Sequence, residues 1–303
     1  TGIENVDGGG GNDIITGSSA ANTLIGGSGN DILNGGLGND HLIGGLGRDT
    51  ALFSARSNRI NLSSSARQNT GDGMDILTGI ENVDGGPGND TITGNSAANT
   101  FTGGNGNDVL YGGLGNDRLV GGAGNDTFDG GLGNDRLVGG AGIDTALFSA
   151  RANRINLGSR ARQNTGDGRD ILTGIENVNG GGGNDFITGN SAANTLNGGT
   201  GNDRLVGANG NDRLNGGLGN DRLVGGTGID TALFSARANR INLGSSARQN
   251  TGDGMDILNG IENVNGGGGN DFITGNSAAN TFIGGNGNCL LYTSDAADEY
   301  SRV

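Results

Sequence analysis

The chain has little of the material from which conventional enzymes build their cores. Of its 303 residues, 31% are hydrophobic and 4% are aromatic, and tryptophan is absent. An average globular protein is about 45–50% apolar. No apolar run approaches the roughly 18 residues that a membrane-spanning helix needs. The composition therefore excludes a conventionally packed α/β enzyme and a helix that spans a membrane.

Cysteine and positive charge are also scarce. Cys289 is the only cysteine, so an internal disulfide is impossible. The 32 acidic residues outnumber the 18 basic residues, all of which are arginine, and the net charge is −14. Such a chain repels nucleic acids and anionic membranes and attracts metal cations. We therefore expect cations among its partners, and neither nucleic acid nor a membrane.

Glycine is abundant, and it recurs with a period of nine. Most of the 69 glycines lie in units such as GGSGNDILN, which begins at Gly26, and GGLGNDHLI, which begins at Gly35. In twenty such units, position six is aspartate in sixteen and asparagine in four, and position eight is always apolar. Because a random loop does not keep two positions in phase over this length, the pattern indicates a repeat array and not disorder.

The units form four blocks, separated by three interludes of 32 residues each. The predicted segments are block one (1–52), an interlude (53–84), block two (85–147), an interlude (148–179), block three (180–233), an interlude (234–265), a truncated block four (266–288) and a tail (289–303). The recurring IENV segments are separated by 32 residues plus whole units. Units were therefore gained or lost entire, as a solenoid requires.

Each interlude contains one degenerate unit, with Asp75, Asp170 or Asp256 at position six. These aspartates are weaker ligand candidates, because an interlude turn can lack a stacked partner. An RINL segment precedes each unit and reads as a short strand. The sequence leaves open whether the interludes continue the repeat or bulge from it.

The nonapeptide resembles the repeats-in-toxin (RTX) family, the haemolysin-type calcium-binding region of secreted bacterial toxins, proteases, lipases and adhesins. The resemblance covers residues 1–288, and the DTALFSA and DILTGIENV segments also resemble connecting segments of that family. It implies an all-β fold, a parallel β-roll with two repeats in each coil. It also implies export from a bacterial cell by a type I secretion apparatus and folding outside the cell on binding calcium.

Elementary geometry supports calcium as the cofactor. Positions one to six of a unit form a glycine-rich turn, positions seven to nine form a short strand, and position eight points inward. Turns eighteen residues apart stack at the strand spacing of about 4.7–4.9 Å, which is twice a Ca²⁺–oxygen distance of about 2.4 Å. Mg²⁺ requires about 2.0–2.1 Å and a regular octahedron, so it fits worse.

The predicted metal ligands are the sixteen position-six carboxylates, with backbone carbonyls beside them. They are Asp13, Asp31, Asp40, Asp49, Asp90, Asp108, Asp117, Asp126, Asp135, Asp144, Asp185, Asp203, Asp212, Asp221, Asp230 and Asp271. Nine pairs of them stack as favoured sites, and three pairs of asparagine with aspartate form weaker sites because one ligand is neutral. Since one large apolar side chain per unit does not compensate for ordering nine glycine-rich residues, we expect a largely disordered calcium-free chain.

Catalytic constellations are missing from the sequence. His41 is the only histidine, occupies an outward-facing position seven, and is expected to be a bystander; the HExxH motif does not occur. The fragment is therefore predicted not to be an enzyme. Two alternatives stay open: the repeat region of a secreted protease or lipase whose catalytic domain lies outside the fragment, and the spacer of an adhesin whose interludes bind a surface or matrix ligand.

Both ends of the chain look cut or artificial. Residues 1–6 match the end of an interlude, and residues 289–299, CLLYTSDAADE, resemble a translated sequencing adapter. We therefore predict that residues 289–303 are non-native. The chain is then an internal piece of a longer secreted bacterial protein.

Overall fold

The computed structural model describes residues 4–54, 56–235 and 237–292, and these residues form an all-β structure without helices. The stacked strands pair in parallel, which confirms the predicted fold class. The chain divides into two compact units: Thr1–Leu147 with Asp167–Ile175, and Phe148–Gly166 with Glu176–Val303. Of the predicted non-native tail, residues 289–303, the structure describes 289–292, and residues 293–303 lie outside the described part.

The strands are short and follow one another at intervals close to the nonapeptide period. They are β1 (Asn5–Asp7), β2 (Ile14–Thr16), β3 (Thr23–Ser28), β4 (Ile32–Asn34), β5 (His41–Leu46), β6 (Thr50–Leu52), β7 (Arg59–Asn61), β8 (Gln68–Asn69), β9 (Met74–Thr78), β10 (Asn82–Asp84), β11 (Thr91–Thr93), β12 (Thr100–Asn105), β13 (Val109–Tyr111), β14 (Arg118–Ala123), β15 (Thr127–Asp129), β16 (Arg136–Ala141), β17 (Thr145–Leu147), β18 (Arg154–Asn156), β19 (Gln163–Asn164), β20 (Arg169–Thr173), β21 (Asn177–Asn179), β22 (Phe186–Thr188), β23 (Thr195–Thr200), β24 (Arg204–Asn209), β25 (Arg213–Leu218), β26 (Arg222–Thr227), β27 (Thr231–Leu233), β28 (Arg240–Asn242), β29 (Gln249–Asn250), β30 (Met255–Asn259), β31 (Asn263–Asn265), β32 (Asp271–Thr274), β33 (Thr281–Ile283) and β34 (Cys289–Tyr292).

Alternate strands stack into separate sheets, because successive units lie on opposite sides of a coil. In the first of the two compact units, Thr1–Leu147 with Asp167–Ile175, the sheet orders are β1-β3-β5-β9-β8, β20-β16-β14-β12-β10-β6-β4-β2 and β17-β15-β13-β11-β7. In the second compact unit the sheet orders are β33-β31-β27-β25-β23-β21, β18-β22-β24-β26-β30-β29 and β28-β32-β34. Each coil of two units therefore adds one strand to each of two sheets.

Position eight of each unit builds a narrow core between the sheets. Leu24 pairs with Leu42, and Leu119 with Leu137, each across the expected eighteen residues. These leucines, like Phe128, are almost completely buried. The inward orientation of position eight and the stacking of two units per coil are thus confirmed.

Glycine at positions two and four allows the turns to stack closely. Gly27 and Gly29 have φ values of 107° and 131°, a region that favours glycine. A Cβ atom on either residue would collide with the carbonyl oxygen of the corresponding glycine in the preceding coil, Gly9 or Gly11. Ala208 adopts φ 83° at the same position two, and it is the one non-glycine residue with positive φ among the described residues.

The interludes continue the stack, which the sequence left open. In the first interlude, β9 pairs with β5, β10 pairs with both β6 and β12, and β7 pairs with β11. Leu77 and Val83 take the places of position-eight residues and are buried. The register changes from eighteen residues to 35 between β5 and β9, where His41 faces Ile76. The interlude strands β7, β9 and β10 thus join three different sheets, and β8 pairs antiparallel with β9.

Candidate metal centres

One oxygen of the position-six carboxylates joins consecutive coils, at every predicted ligand except Asp13 in the first unit. The backbone N–H of Asp13 donates to Oδ1 of Asp31 at 2.8 Å, and the N–H of Asp31 donates to Oδ1 of Asp49 at 2.8 Å. All nine predicted pairs make this bond. They are Asp13–Asp31, Asp31–Asp49, Asp90–Asp108, Asp108–Asp126, Asp126–Asp144, Asp117–Asp135, Asp185–Asp203, Asp203–Asp221 and Asp212–Asp230.

The second oxygen, Oδ2, is buried and has no hydrogen-bond partner in fifteen of the sixteen predicted ligands. These are Asp13, Asp31, Asp40, Asp49, Asp90, Asp108, Asp117, Asp126, Asp135, Asp185, Asp203, Asp212, Asp221, Asp230 and Asp271. Asp144, the sixteenth, is completely buried at the same position and has further interactions. A buried carboxylate oxygen without a donor is costly, so it requires a proton or a cation.

Glycine at position one leaves an open cradle beside each Oδ2 atom. A Cβ atom on Gly8 would lie 2.6 Å from Oδ2 of Asp13 and 2.7 Å from the carbonyl oxygen of Gly26 in the next coil. The space beside the turn is therefore bounded by a carboxylate oxygen and a backbone carbonyl oxygen, the hard donors that Ca²⁺ prefers. The residues present fit a calcium ion.

The electrostatics of the turns also favour a cation. Burial first, and then neighbouring carboxylates, raise the pKa of Asp90, Asp135 and Asp221 to about 7. Burial likewise raises the pKa to about 6 in Asp40, Asp108, Asp117, Asp203 and Asp230. In the metal-free roll, ionised carboxylates are thus disfavoured by desolvation and by one another.

The asparagine turns are satisfied within the protein. The N–H of Asn99 donates to Oδ1 of Asp117 at 2.7 Å, so the expected pair does stack. However, the Asn99 amide donates to the carbonyl of Glu81 at 2.9 Å, and its Oδ1 accepts from the N–H of Asn95 at 3.0 Å. Asn194 repeats both contacts. These turns lack the orphan oxygen that marks the aspartate turns.

The interlude aspartates do have stacked partners, and the expectation that they might lack one is wrong. The N–H of Asp40 donates to Oδ1 of Asp75, and the N–H of Asp221 donates to Oδ1 of Asp256, both at 2.7 Å. Their Oδ2 atoms differ from those of the blocks, because Thr70 donates its hydroxyl hydrogen to Asp75.

Further residues that were not predicted from the sequence also occupy position six. Glu81 accepts from the N–H of Asp49 at 3.0 Å, and Glu262 accepts from that of Asp230 at 2.9 Å. Asn58, Asn153 and Asn239 stand at the same place in the interludes, and all three are buried. The available signal was the spacing, since each of these residues lies two positions before a buried apolar residue, as position six does before position eight.

Other chemistry is not apparent in the described part of the chain. His41 is half-buried on a strand, at position seven. Within the described ranges, no three His, Cys, Asp or Glu side chains cluster closely enough to hold a metal ion. A site in these turns must therefore use backbone carbonyls beside its carboxylates. None of the described residues form a helix with the length and apolarity that crossing a membrane requires.

Comparison with known proteins agrees with this geometry. The sequence model of the RTX calcium-binding nonapeptide repeat matches most of the chain, at residues 1–31, 16–51, 75–110, 84–119, 111–146, 172–205, 197–232 and 256–288. No curated protein matches the sequence. The chain belongs to the RTX calcium-binding nonapeptide repeat family.

Proposed function

We propose that the chain is a calcium-operated folding module of a secreted bacterial protein. The metal-free chain is largely unfolded, and it forms the roll when calcium occupies the block turns outside the cell. The observation that carries this proposal is the row of buried Oδ2 atoms without partners at fifteen position-six aspartates. Family membership supports calcium as the cation.

The residues of each turn have separate tasks in this mechanism. Oδ1 of position six accepts a backbone hydrogen bond and holds consecutive coils in register, as at Asp108 and Asp126. Glycine at position one keeps the cradle open, and the next coil supplies a carbonyl oxygen. Calcium, when bound, supplies the positive charge that these oxygens lack. Because the oxygens come from two coils, cation binding is coupled to stacking.

The same oxygens oppose folding without a cation. The chain carries a net charge of −14, and its turns bury carboxylates that stack from one coil to the next. Each coil gains only a thin core from position eight, while ordering its glycines is entropically costly. We therefore expect the unfolded state to prevail when calcium is removed at neutral pH.

This dependence suits a protein that is exported unfolded. Extracellular calcium sites bind at about 10⁻⁴–10⁻³ M, well above cytosolic concentrations. The chain would stay unfolded in the cytosol, leave by a type I secretion apparatus, and fold outside. We assign no catalytic role to the chain itself. Such a roll would serve a secreted hydrolase as the repeat region beside its catalytic domain, or an adhesin as a spacer.

Far-UV circular dichroism of the full chain tests the proposal. Starting in chelator at pH 7.5, calcium is added stepwise, and magnesium is added to a parallel sample. We expect a cooperative change from a coil spectrum to a β spectrum at roughly millimolar calcium, and little change with magnesium. A β spectrum already present in chelator, or an equal response to magnesium, would contradict the proposal.

A further inference from the structure

The degenerate units of the interludes differ from the block units at position one. They carry Thr70 and Thr251 there instead of glycine, and both threonines are completely buried. The hydroxyl of Thr70 donates to Oδ2 of Asp75, and that of Thr251 donates to Oδ2 of Asp256. The threonine side chain therefore fills the place that a block turn leaves open.

As a result, both oxygens of Asp75 and both oxygens of Asp256 have protein donors. Oδ1 of Asp75 accepts from the N–H of Asp40, as in a block turn, and Oδ2 accepts from Thr70. The same pair of bonds is present at Asp256. The orphan oxygen that identifies the block turns is thus absent at Asp75 and Asp256.

The interludes contain a further turn with a protein donor, which is the side-chain amide of Asn153 or of Asn239. The amide nitrogen of Asn153 lies 2.6 Å from the carbonyl oxygen of Arg151, 2.8 Å from that of Gly180 and 2.9 Å from Oδ1 of Asp185. Asn239 repeats this arrangement in the third interlude at 2.7, 2.8 and 2.9 Å. An N–H donor and a cation compete for the oxygens that these amides contact, but Oδ1 of Asn153 and of Asn239 is itself buried without a hydrogen-bond partner. These turns are therefore satisfied less completely than those of Asp75 and Asp256.

We propose that the interlude turns at Asp75 and Asp256, which carry threonine at position one, bind no cation. The hydroxyls of Thr70 and Thr251 take the place of a cation at Asp75 and Asp256, and the calcium array is interrupted at these two turns. This inference rests on the proposed function, since it assumes that the block carboxylates hold calcium. Threonine at position one is thereby the residue that determines which carboxylate turns bind an ion.

The number of bound calcium ions tests this assignment. Equilibrium dialysis of the full chain against radioactive calcium compares the double variant Asp75→Asn, Asp256→Asn with a matched block variant, Asp126→Asn, Asp203→Asn. Asparagine keeps the shape and the Oδ1 acceptor. We expect the interlude variant to bind as many ions as the wild type, and the block variant to bind fewer.

The outcomes separate this inference from the proposed function. If the interlude variant loses as many ions as the block variant, the inference is overturned while the proposed function stands. If the block variant loses none, position-six ligation itself fails, and the inference fails with it.

The role of the hydroxyl has its own test, in thermal unfolding at saturating calcium. Serine at positions 70 and 251 keeps the donor, and we expect an unchanged Tm; valine keeps the volume without the donor, and we expect a Tm lower by several degrees. Thr127→Val, on strand β15, is a control that should leave the Tm unchanged. Equal Tm values for the serine and valine variants would overturn the inference.

Discussion

Block turns and interlude turns bury the same carboxylate in different surroundings. At Gly112, a cradle lies open beside Oδ2 of Asp117, whereas at Thr70 a side chain fills the cradle and bonds Oδ2 of Asp75. The backbone ladder through Oδ1 is the same in both. A single position therefore distinguishes a turn that demands a cation from one whose two oxygens are already bonded.

The two regions share their hydrophobic core, and its disruption should have the largest effect. Phe128 is completely buried in a block coil, and Leu77 is 4% exposed in an interlude. We expect Phe128→Ala to lower the free energy of unfolding by about 3–5 kcal/mol and Leu77→Ala to lower it by about 2–5 kcal/mol. Denaturant unfolding in saturating calcium measures both.

Leu114 provides the control for this prediction, because it is 51% exposed. Leu114→Ala should change the free energy of unfolding by less than about 0.5 kcal/mol. If Phe128→Ala were as mild as this control, position eight would not form the core.

Substitution at position one should have different effects in the block turns and in the interlude turns. A methyl group on Gly112 would lie 2.6 Å from Oδ2 of Asp117 and 2.5 Å from the carbonyl oxygen of Gly130, so Gly112→Ala should reduce calcium binding. Thr70→Ala should leave the number of bound ions unchanged but cost about 1–3 kcal/mol, because Asp75 Oδ2 loses its donor. Dialysis and denaturation measure the two effects. Loss of bound calcium in Thr70→Ala would contradict the distinction between block turns that bind calcium and interlude turns that do not.

A change in pH should alter the stability of the metal-free roll mainly through the carboxylates of the block turns. The folded pKa of Asp90 is raised from 3.8 to about 7, and that of Asp108 to about 6, by burial. The metal-free roll therefore binds more protons than the unfolded chain, and this contribution to stability is full below pH 3.8 and is lost as the pH rises through 6 to 7.

Calcium must displace those protons, so its affinity should increase from pH 5.5 to 7.5, by up to about tenfold per pH unit for each proton displaced. Calcium titrations followed by circular dichroism at several pH values measure this shift. A calcium midpoint that is independent of pH would contradict the argument.

The smallest predicted effect concerns backbone strain within a block. Ala208 has φ 83° at position two, where Gly217 of the next unit has φ 86°. Ala208→Gly should stabilise the calcium-bound fold by about 1 kcal/mol, because the left-handed region is unfavourable for alanine. Ala123→Gly, at a neighbouring turn position without positive φ, should give no gain, and equal gains from both variants would contradict a local strain effect. Denaturant unfolding distinguishes them.

Much of the fold could be predicted because the same nonapeptide pattern recurs in twenty units. The pairing of Leu24 with Leu42 and the stacking of Asp13 on Asp31 both follow from the eighteen-residue coil. Position-eight burial follows from the alternation within each short strand. Such local rules hold wherever the period is intact.

Prediction was less complete where the period breaks. The interlude positions of Glu81 and Asn58 were missed, because their units are shortened or begin without glycine. Asp75 was expected to be a weaker ligand because its turn could lack a stacked partner. The turn does stack, and Oδ2 of Asp75 instead accepts a hydrogen bond from a threonine five residues earlier. The sequence spacing does not indicate which oxygen a hydroxyl will reach.

The sequence by itself determined the roll, its two-unit coil and the carboxylates that face the turns, because a strict period fixes register and orientation together. Only the tertiary structure decided which of those carboxylates keep an unpartnered oxygen. That outcome depends on the donor that position one supplies, such as the hydroxyl of Thr70. Satisfaction of a buried polar atom is a property of its packed surroundings and not of its place in the repeat.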